Sequence, residues 1–245
     1  MWGIIPAAGA GSRIQPLAFS KELLPVGSRY DGAQEKPKAV SEYLLDRMIQ
    51  AGVNKLCFVI APGKSDILEY YGRHFSTAHI CYTVQPAPAG LCDAIFQAVP
   101  FIGASEEVIV GLPDTVWYPE NALSSLGKNE FSFLLFPVDR PELFDAVLLS
   151  ENGSVTEIRV KQQDAASNWI WGAFKMPGDV FHRLYGLWCE RSERDEYFGT
   201  LVNAYLELGG CAKGVKSGRA YTDVGTLNGY REAVRLIEEE HRKDP

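Results

Sequence analysis

The sequence predicts an α/β fold in which a mixed, mostly parallel twisted sheet is flanked by helices. Three observations predict it. Strand-like apolar runs alternate with helix-like segments, the pattern of right-handed βαβ units. The first apolar run, Ile4-Ile5, passes directly into a small-residue loop, Ala7-Ala8-Gly9-Ala10-Gly11-Ser12. The chain has 245 residues and is 46% hydrophobic, enough to bury one large core.

The elements follow in order. Strands are predicted near Gly3–Ala7, Lys55–Ile60, Ile80–Val84 and Glu107–Leu112, separated by helices near Ala39–Ala51, Ser65–His74 and Leu91–Ala98. This alternation makes the first half Rossmann-like. After Phe131 the runs shorten, predicting strands at Phe131–Pro137, Ala146–Leu149, Val155–Val160 and Trp169–Phe174. Helices are predicted near Pro177–Leu187, Glu196–Leu208 and Leu227–His241, the last announced by Asp223 and Thr226. The polar segment Gly27–Lys36 reads as a flexible surface loop. The run Glu238-Glu239-Glu240 with Arg242 and Lys243 reads as a solvated helix end.

The loop carries the chemistry. Glycine lacks a Cβ and tolerates positive φ, so backbone amides there can approach a ligand closely. With Arg13 and Lys21 close behind, those amides make a cradle for several phosphates, as in a nucleoside triphosphate. A dinucleotide turn would need a third glycine and an immediate helix, but position 14 is Ile and Pro16 interrupts. A Walker loop would need Gly-Lys-Ser/Thr, which is absent.

Gly9-Ala10-Gly11-Ser12-Arg13, Pro16-Leu17 and Ser20-Lys21-Glu22-Leu23-Leu24-Pro25-Val26 together resemble the amino-terminal signature of the sugar-1-phosphate nucleotidylyltransferases, nearest the thymidylyl- and uridylyltransferase branches. The resemblance implies a nucleotide-diphospho-sugar transferase fold over 1–245 as a single nucleotidyltransferase domain. Within it, 1–130 would form the nucleotide-binding half and 131–245 the acceptor-binding half. It also implies that Ala7, Ala8, Gly9, Gly11 and Ser12 hold the nucleotide, that Arg13 clamps the β- and γ-phosphates, and that Lys21 stabilises charge at the α–β bridge.

Asp114 follows the apolar run Val108-Ile109-Val110, where strands end on a ligand crevice, and a second carboxylate, Asp223, lies in Tyr221-Thr222-Asp223-Val224-Gly225-Thr226. Each reads on its own as a turn or helix cap or as a ligand for a hard cation. The resemblance implies the latter, Mg²⁺ on Asp114 and Asp223. Gln85-Pro86-Ala87-Pro88-Ala89-Gly90-Leu91 resembles the family's base-reading segment, with Gln85 and Gly90 facing a pyrimidine, while Asp93 reads as a solvated helix position.

The acceptor side departs from the pattern. Where the family has Glu-Glu-Lys-Pro, this chain has Arg159-Val160-Lys161-Gln162, keeping the phosphate-holding Lys161 but losing a carboxylate. A glycine whose amide serves the sugar falls on Asp145, and Asn168-Trp169-Ile170-Trp171-Gly172 resembles the family's Asn-Tyr-x-x-x-Gly, one residue shorter. Asp145, Lys161, Asn168, Trp171 and Gly172 are therefore the acceptor candidates. Trp169 and Trp171 read as core aromatics or as an aromatic wall for a sugar or cationic headgroup.

The net charge of −7 argues against a nucleic-acid backbone or an anionic membrane as main partner. The absence of a charged-then-apolar leader predicts a cytoplasmic protein, and homo-oligomers remain open. Five cysteines without metal spacing predict reduced thiols, and His74, His79, His182 and His241 form no ligand set. The expected activity is transfer of a nucleotidyl group from dTTP or UTP to a sugar 1-phosphate. The alternatives are a cytidylyltransferase with an acceptor such as phosphocholine, or a non-catalytic nucleotide or sugar-phosphate sensor.

Overall fold

The computed structural model describes residues 1–191 and 194–242. Lys243 of the predicted helix end lies outside them. The chain opens with β1 (Trp2–Pro6), then a 3-10 turn at Lys21–Leu23, then β2 (Pro25–Asp31) and β3 (Gln34–Ala39). Next come α1 (Val40–Gln50), β4 (Lys55–Ile60), α2 (Ser65–Tyr71), β5 (His74–Phe75), β6 (Ala78–Val84), α3 (Gly90–Phe96) and β7 (Glu107–Gly111). The second half holds β8 (Thr115–Tyr118), β9 (Ser132–Pro137), β10 (Asp145–Leu149), β11 (Val155–Val160) and β12 (Trp169–Pro177). It closes with α4 (Gly178–Glu190), α5 (Phe198–Glu207), β13 (Lys213–Val215), β14 (Ala220–Asp223) and α6 (Leu227–His241).

The main sheet is mixed. Its order is β11-β10-β12-β7-β1-β4-β6-β5, with β9 branching from β12 and β13 from β9. The neighbours β7, β1, β4 and β6 are mutually parallel, so their carboxyl ends share one edge. β12 joins this block antiparallel to β7, linking the two halves of the chain. Because side chains alternate along a strand, Ile4 and Ile5 enter opposite faces of the sheet. Ile4 belongs to the core cluster that holds Val59, Val110, Phe96 and Phe181; Ile5 belongs to the one that holds Leu44, Met48, Phe58 and Trp117. Each isoleucine is fully buried and contributes about 1.5–3 kcal/mol of hydrophobic stabilisation. Phe174 and Phe198 stack at 4.3 Å and tie α5 to the sheet.

Local chemistry sets the element ends. Glu42 accepts the Ala39 amide at 3.3 Å and starts α1. The Thr226 hydroxyl accepts the Gly229 amide at 3.0 Å and caps α6. Helix α2 stops at Tyr71, short of the expected His74, because Gly72 turns the backbone at φ +59° and His74–Phe75 then pairs with β6.

The expected loop Gly27–Lys36 is a β-hairpin instead. β2 and β3 pair antiparallel, and Gly32 takes φ +63° in the turn, which the Asp31-Gly32 pair suits. Its base is fastened from behind, since the Tyr43 hydroxyl donates to the Val26 carbonyl at 2.8 Å. Glu240 is likewise not solvated: both its oxygens are engaged by Arg219, at 2.9 and 2.5 Å.

A separate two-stranded unit pairs β8 with β14, aligning Asp223 with Thr115. Behind it, Arg47 of α1 is 2% exposed. Its guanidinium lies over Trp117 at 4.5 Å and near Tyr118 at 5.3 Å and Tyr43 at 5.5 Å. None of its three nitrogens has a hydrogen-bond partner among the described residues, and burial pulls its pKa down to about 10. Desolvating a guanidinium costs several kcal/mol, and the ring faces return part of it. Replacing Arg47 by Met should therefore leave stability unchanged or raise it by up to about 2 kcal/mol. Thermal denaturation measures this, and a loss above about 2 kcal/mol would mean the ring contacts outweigh desolvation.

Candidate functional site

The site forms where the parallel strands end. Ala7 is sealed in place by its amide donating to the Val59 carbonyl at 2.8 Å. The chain then swings outward through Gly9, which is exposed with open space about it. Gly11 adopts φ +64°, and a Cβ there would lie 2.9 Å from the Lys21 side chain. Glycine is thus needed twice over, for the turn and for the crossing above Lys21. Ala8 is nearly buried, whereas Ser12 and Arg13 are exposed.

Lys21 is the centre of the arrangement. Its Nζ donates to Asp114 Oδ2 at 2.5 Å, with both side chains about 15% exposed. Burial works to lower its pKa, but the charge and hydrogen bond of Asp114, with Glu22 and Asp223, hold it above the ordinary value. On one side of Lys21, the Ser20 amide and hydroxyl donate to Asp66 at 2.6 and 2.7 Å. On the other, Lys64 donates to both Glu22 oxygens at 2.8 and 2.9 Å and to the Ala7 carbonyl at 2.7 Å. The start of α2 therefore pins both chain neighbours of Lys21. Sequence reading missed Glu22, Lys64 and Asp66 as a group, because Lys64 and Asp66 lie far along the chain and in no motif.

Asp114 and Asp223 come together. Besides the Asp223–Thr115 register, the Val224 amide donates to the Asp114 carbonyl at 2.7 Å. Asp223 also accepts the Gly225 amide at 2.6 Å and Arg13 Nη2 at 3.2 Å. A Cβ on Gly225 would stand 2.8 Å from Arg13 Nη2, so glycine makes room for that pair. Burial, then the charge of Asp114, push the Asp223 carboxyl above its usual pKa, against the pull of the Gly225 amide, Arg13 and Lys21. Two close carboxylates that repel each other suit a hard divalent cation. Among the described residues no set of three or more His, Cys, Asp or Glu gathers to hold a metal. Such a cation would therefore take its other donors from phosphates and water, which is how Mg²⁺ is commonly held.

Gln85 directly follows β6 at the same edge, its backbone N–H donating to the Ile60 carbonyl at 2.9 Å. Asp93 is not a free helix position: it accepts Gln85 Nε2 at 2.8 Å. Gly90 is required by Glu196, whose backbone would lie 2.7 Å from a Cβ there.

On the acceptor side, Asp145 stands directly across from Val160 in the β10–β11 register. It accepts Trp171 Nε1 at 3.3 Å, and burial raises its pKa against the pull of Trp171 and Lys161. Trp171 is buried with its ring edge-on to Phe174, so it offers Asp145 a donor and no open face. Lys216 Nζ lies 5.0 Å over the ring of Trp169, which is partly exposed. Lys161 Nζ lies 4.6 Å over the Tyr197 ring. Asn168 is exposed, with its carbonyl accepting the Val138 amide at 2.9 Å. Gly172 admits the rings of Phe136 and Tyr221, which would stand 2.6 and 2.8 Å from a Cβ. A cavity of about 420 Å³ lined by Trp2, Lys55, His79 and Cys81 lies at the opposite, amino ends of the strands.

Residues 2–240 match the family described as nucleotidyl transferase. The chain is 29% identical to a glucose-1-phosphate thymidylyltransferase of Neisseria meningitidis, covering 97% of this chain and 83% of that protein. It is 30% identical to the protein of the same name from Mycobacterium tuberculosis, covering 97% and 82%. In fold it superposes on UTP-bound UGPase from Acinetobacter baumannii with a TM-score of 0.77 at 21% identity, over 98% and 94% of the two chains.

The clamp around Lys21 is testable through Glu22, whose carboxyl burial raises above its usual pKa, against the pull of Lys64. Lys64→Ala leaves that carboxylate buried and unpaired, at an expected cost of about 3–5 kcal/mol near neutral pH. Removing Lys64 raises the folded-state pKa further above the unfolded value. A carboxyl so raised favours folding only while protonated, so the deficit should shrink as pH falls through that pKa. Urea denaturation at neutral and mildly acidic pH measures both; a deficit that grows on acidification refutes the assignment.

Proposed function

Because the chain belongs to the sugar-1-phosphate nucleotidylyltransferase family, we propose that it transfers the nucleoside monophosphate of dTTP or UTP to a sugar 1-phosphate, releasing pyrophosphate and forming a nucleotide sugar. The observation that carries this reading is the convergence of Lys21, Asp114, Asp223 and Arg13 beside the Gly9–Gly11 loop. The reaction is an in-line displacement. An acceptor phosphate oxygen forms a bond to the α-phosphorus as the bond to the pyrophosphate oxygen breaks, so no covalent enzyme intermediate is needed.

The protein's part is to position phosphates and offset their charge. Lys21, held rigidly from both sides, is the cation for charge developing between the α- and β-phosphorus. Arg13, 64% exposed in its side chain and held on Asp223 at 3.2 Å, stands ready to engage the outer phosphates. Asp114 and Asp223 would hold Mg²⁺, which when bound supplies positive charge to neighbouring phosphate oxygens. Loop amides from Ala8 to Ser12 hold the triphosphate, and Lys161 holds the acceptor phosphate. Asp145 replaces, from the facing strand, the carboxylate missing at Val160, and so pairs with sugar hydroxyls. A cytoplasmic setting fits the five free cysteines. No helix among the described residues is long and apolar enough to cross a membrane.

Pyrophosphate release should appear only with Mg²⁺, a matched pyrimidine triphosphate and a sugar 1-phosphate; a panel with phosphocholine as an added acceptor tests this, and release with phosphocholine alone would overturn the acceptor. Lys21→Ala should lower kcat by about 10²–10³-fold with little change in triphosphate affinity. If affinity falls while kcat holds, Lys21 serves binding and not the transition state. Asp145→Ala should raise KM for the sugar phosphate about tenfold and leave KM for the triphosphate unchanged. Steady-state kinetics in both substrates separate these, and an unaltered sugar-phosphate KM removes Asp145 from the pocket.

A further inference from the structure

Gln85 is 5% exposed, and its amide is fixed by two acceptors. Nε2 donates to the Gly90 carbonyl at 3.0 Å and to Asp93 Oδ2 at 2.8 Å. Turning the amide over would press Oε1 against a carbonyl and a carboxylate, so the network itself decides which atom is nitrogen. Both Nε2 hydrogens are thereby used. Oε1 accepts no hydrogen bond from the described residues and is not wholly sealed from the surface. The Gly90 amide also has no acceptor among the described residues, whereas the Leu91 and Cys92 amides are taken by the Glu196 carbonyl. Gln85 Oε1 as acceptor and the Gly90 amide as donor are thus both left unused by the described residues.

Uracil and thymine carry an N3–H donor flanked by carbonyl acceptors. Cytosine carries an N3 acceptor beside an amino donor. With N3 held against Oε1 and position 4 against the Gly90 amide, uracil and thymine match both groups, whereas cytosine in that position sets its N3 lone pair against Oε1 and its amino group against the Gly90 N–H, provided the glutamine amide cannot turn. A glutamine free to turn would accept either base. We infer that Asp93 is the positioning residue for base selection: by holding Gln85 Nε2 it presents Oε1 to the N3–H of uracil or thymine and turns cytosine away. The inference rests on the nucleotide site proposed above and narrows it. Asp93 is well placed for this, since Gln97 Nε2 also donates to its Oδ2 at 3.3 Å and steadies it on α3. The sequence gives no hint of this role, because an acid in the first turns of a helix is ordinary dipole chemistry.

The test is equilibrium binding of UTP, dTTP and CTP to the full chain without acceptor, which separates base reading from catalysis. The unaltered protein should prefer UTP and dTTP over CTP by about tenfold or more. Asp93→Ala should collapse that ratio towards unity, and Asp93→Asn, which keeps an acceptor oxygen, should retain it. Asp93→Leu, which keeps the branched shape of the aspartate without an acceptor oxygen, serves as second variant should the alanine form fail to fold. A folded Asp93→Ala or Asp93→Leu protein with undiminished preference overturns the inference while leaving the nucleotide site intact. Equal binding of all three triphosphates by the unaltered protein overturns it too. If that protein binds none of them, the nucleotide reading and the inference fall together.

Discussion

The ion pair between Lys21 and Asp114 is the constraint on which the rest of the site depends. It joins a loop near the start of the chain to the end of a strand from its middle, and the β8–β14 pairing brings in Asp223 from near the end. A lysine so placed would be driven towards its neutral form by burial alone. It stays charged because Asp114, Glu22 and Asp223 surround it. The arrangement stores opposed charges in a part-buried edge, where each is worth more than in bulk water. Any anionic ligand entering that edge meets Lys21 and Arg13 already in place.

Holding those charges needs rigid neighbours. Two clamps from the start of α2, Asp66 on Ser20 and Lys64 on Glu22, remove the freedom that a loop lysine would otherwise have. Lys64 also grips the Ala7 carbonyl, so one ammonium connects the start of the Ala7–Ser12 loop to the Lys21 turn. Gly11 and Gly225 complete the fit by leaving space for Lys21 and Arg13 respectively. In the second half of the chain Asp145 stands across from Val160, which leaves one carboxylate at that level of the sheet.

Much of this was legible in the sequence. Apolar alternation located the parallel strands, and β4, β11 and α6 have the bounds that periodicity gives. Gly9-Ala10-Gly11-Ser12-Arg13 with Lys21 marked the loop beside the strand ends, because glycine and cation spacing is a local property. The hairpin at Pro25–Ala39 was obscured by its polarity: neither strand carries the alternation of a half-buried strand, and its support comes from Tyr43.

What the sequence alone determined is therefore the fold class, the family and the identity of the charged groups, since these follow from periodicity and from residues close together along the chain. Only the tertiary structure decided how those groups are paired. Asp93 looked like a solvated helix acid until the end of β6 brought Gln85 to it. Glu240 looked like part of a charged helix tail until Arg219 closed on it. Trp171 looked like a candidate wall until burial left it only an indole N–H to give to Asp145. In each case the deciding contact joins residues from different elements, and hydrogen bonds of that kind are set by strand register and helix docking, which no local pattern records.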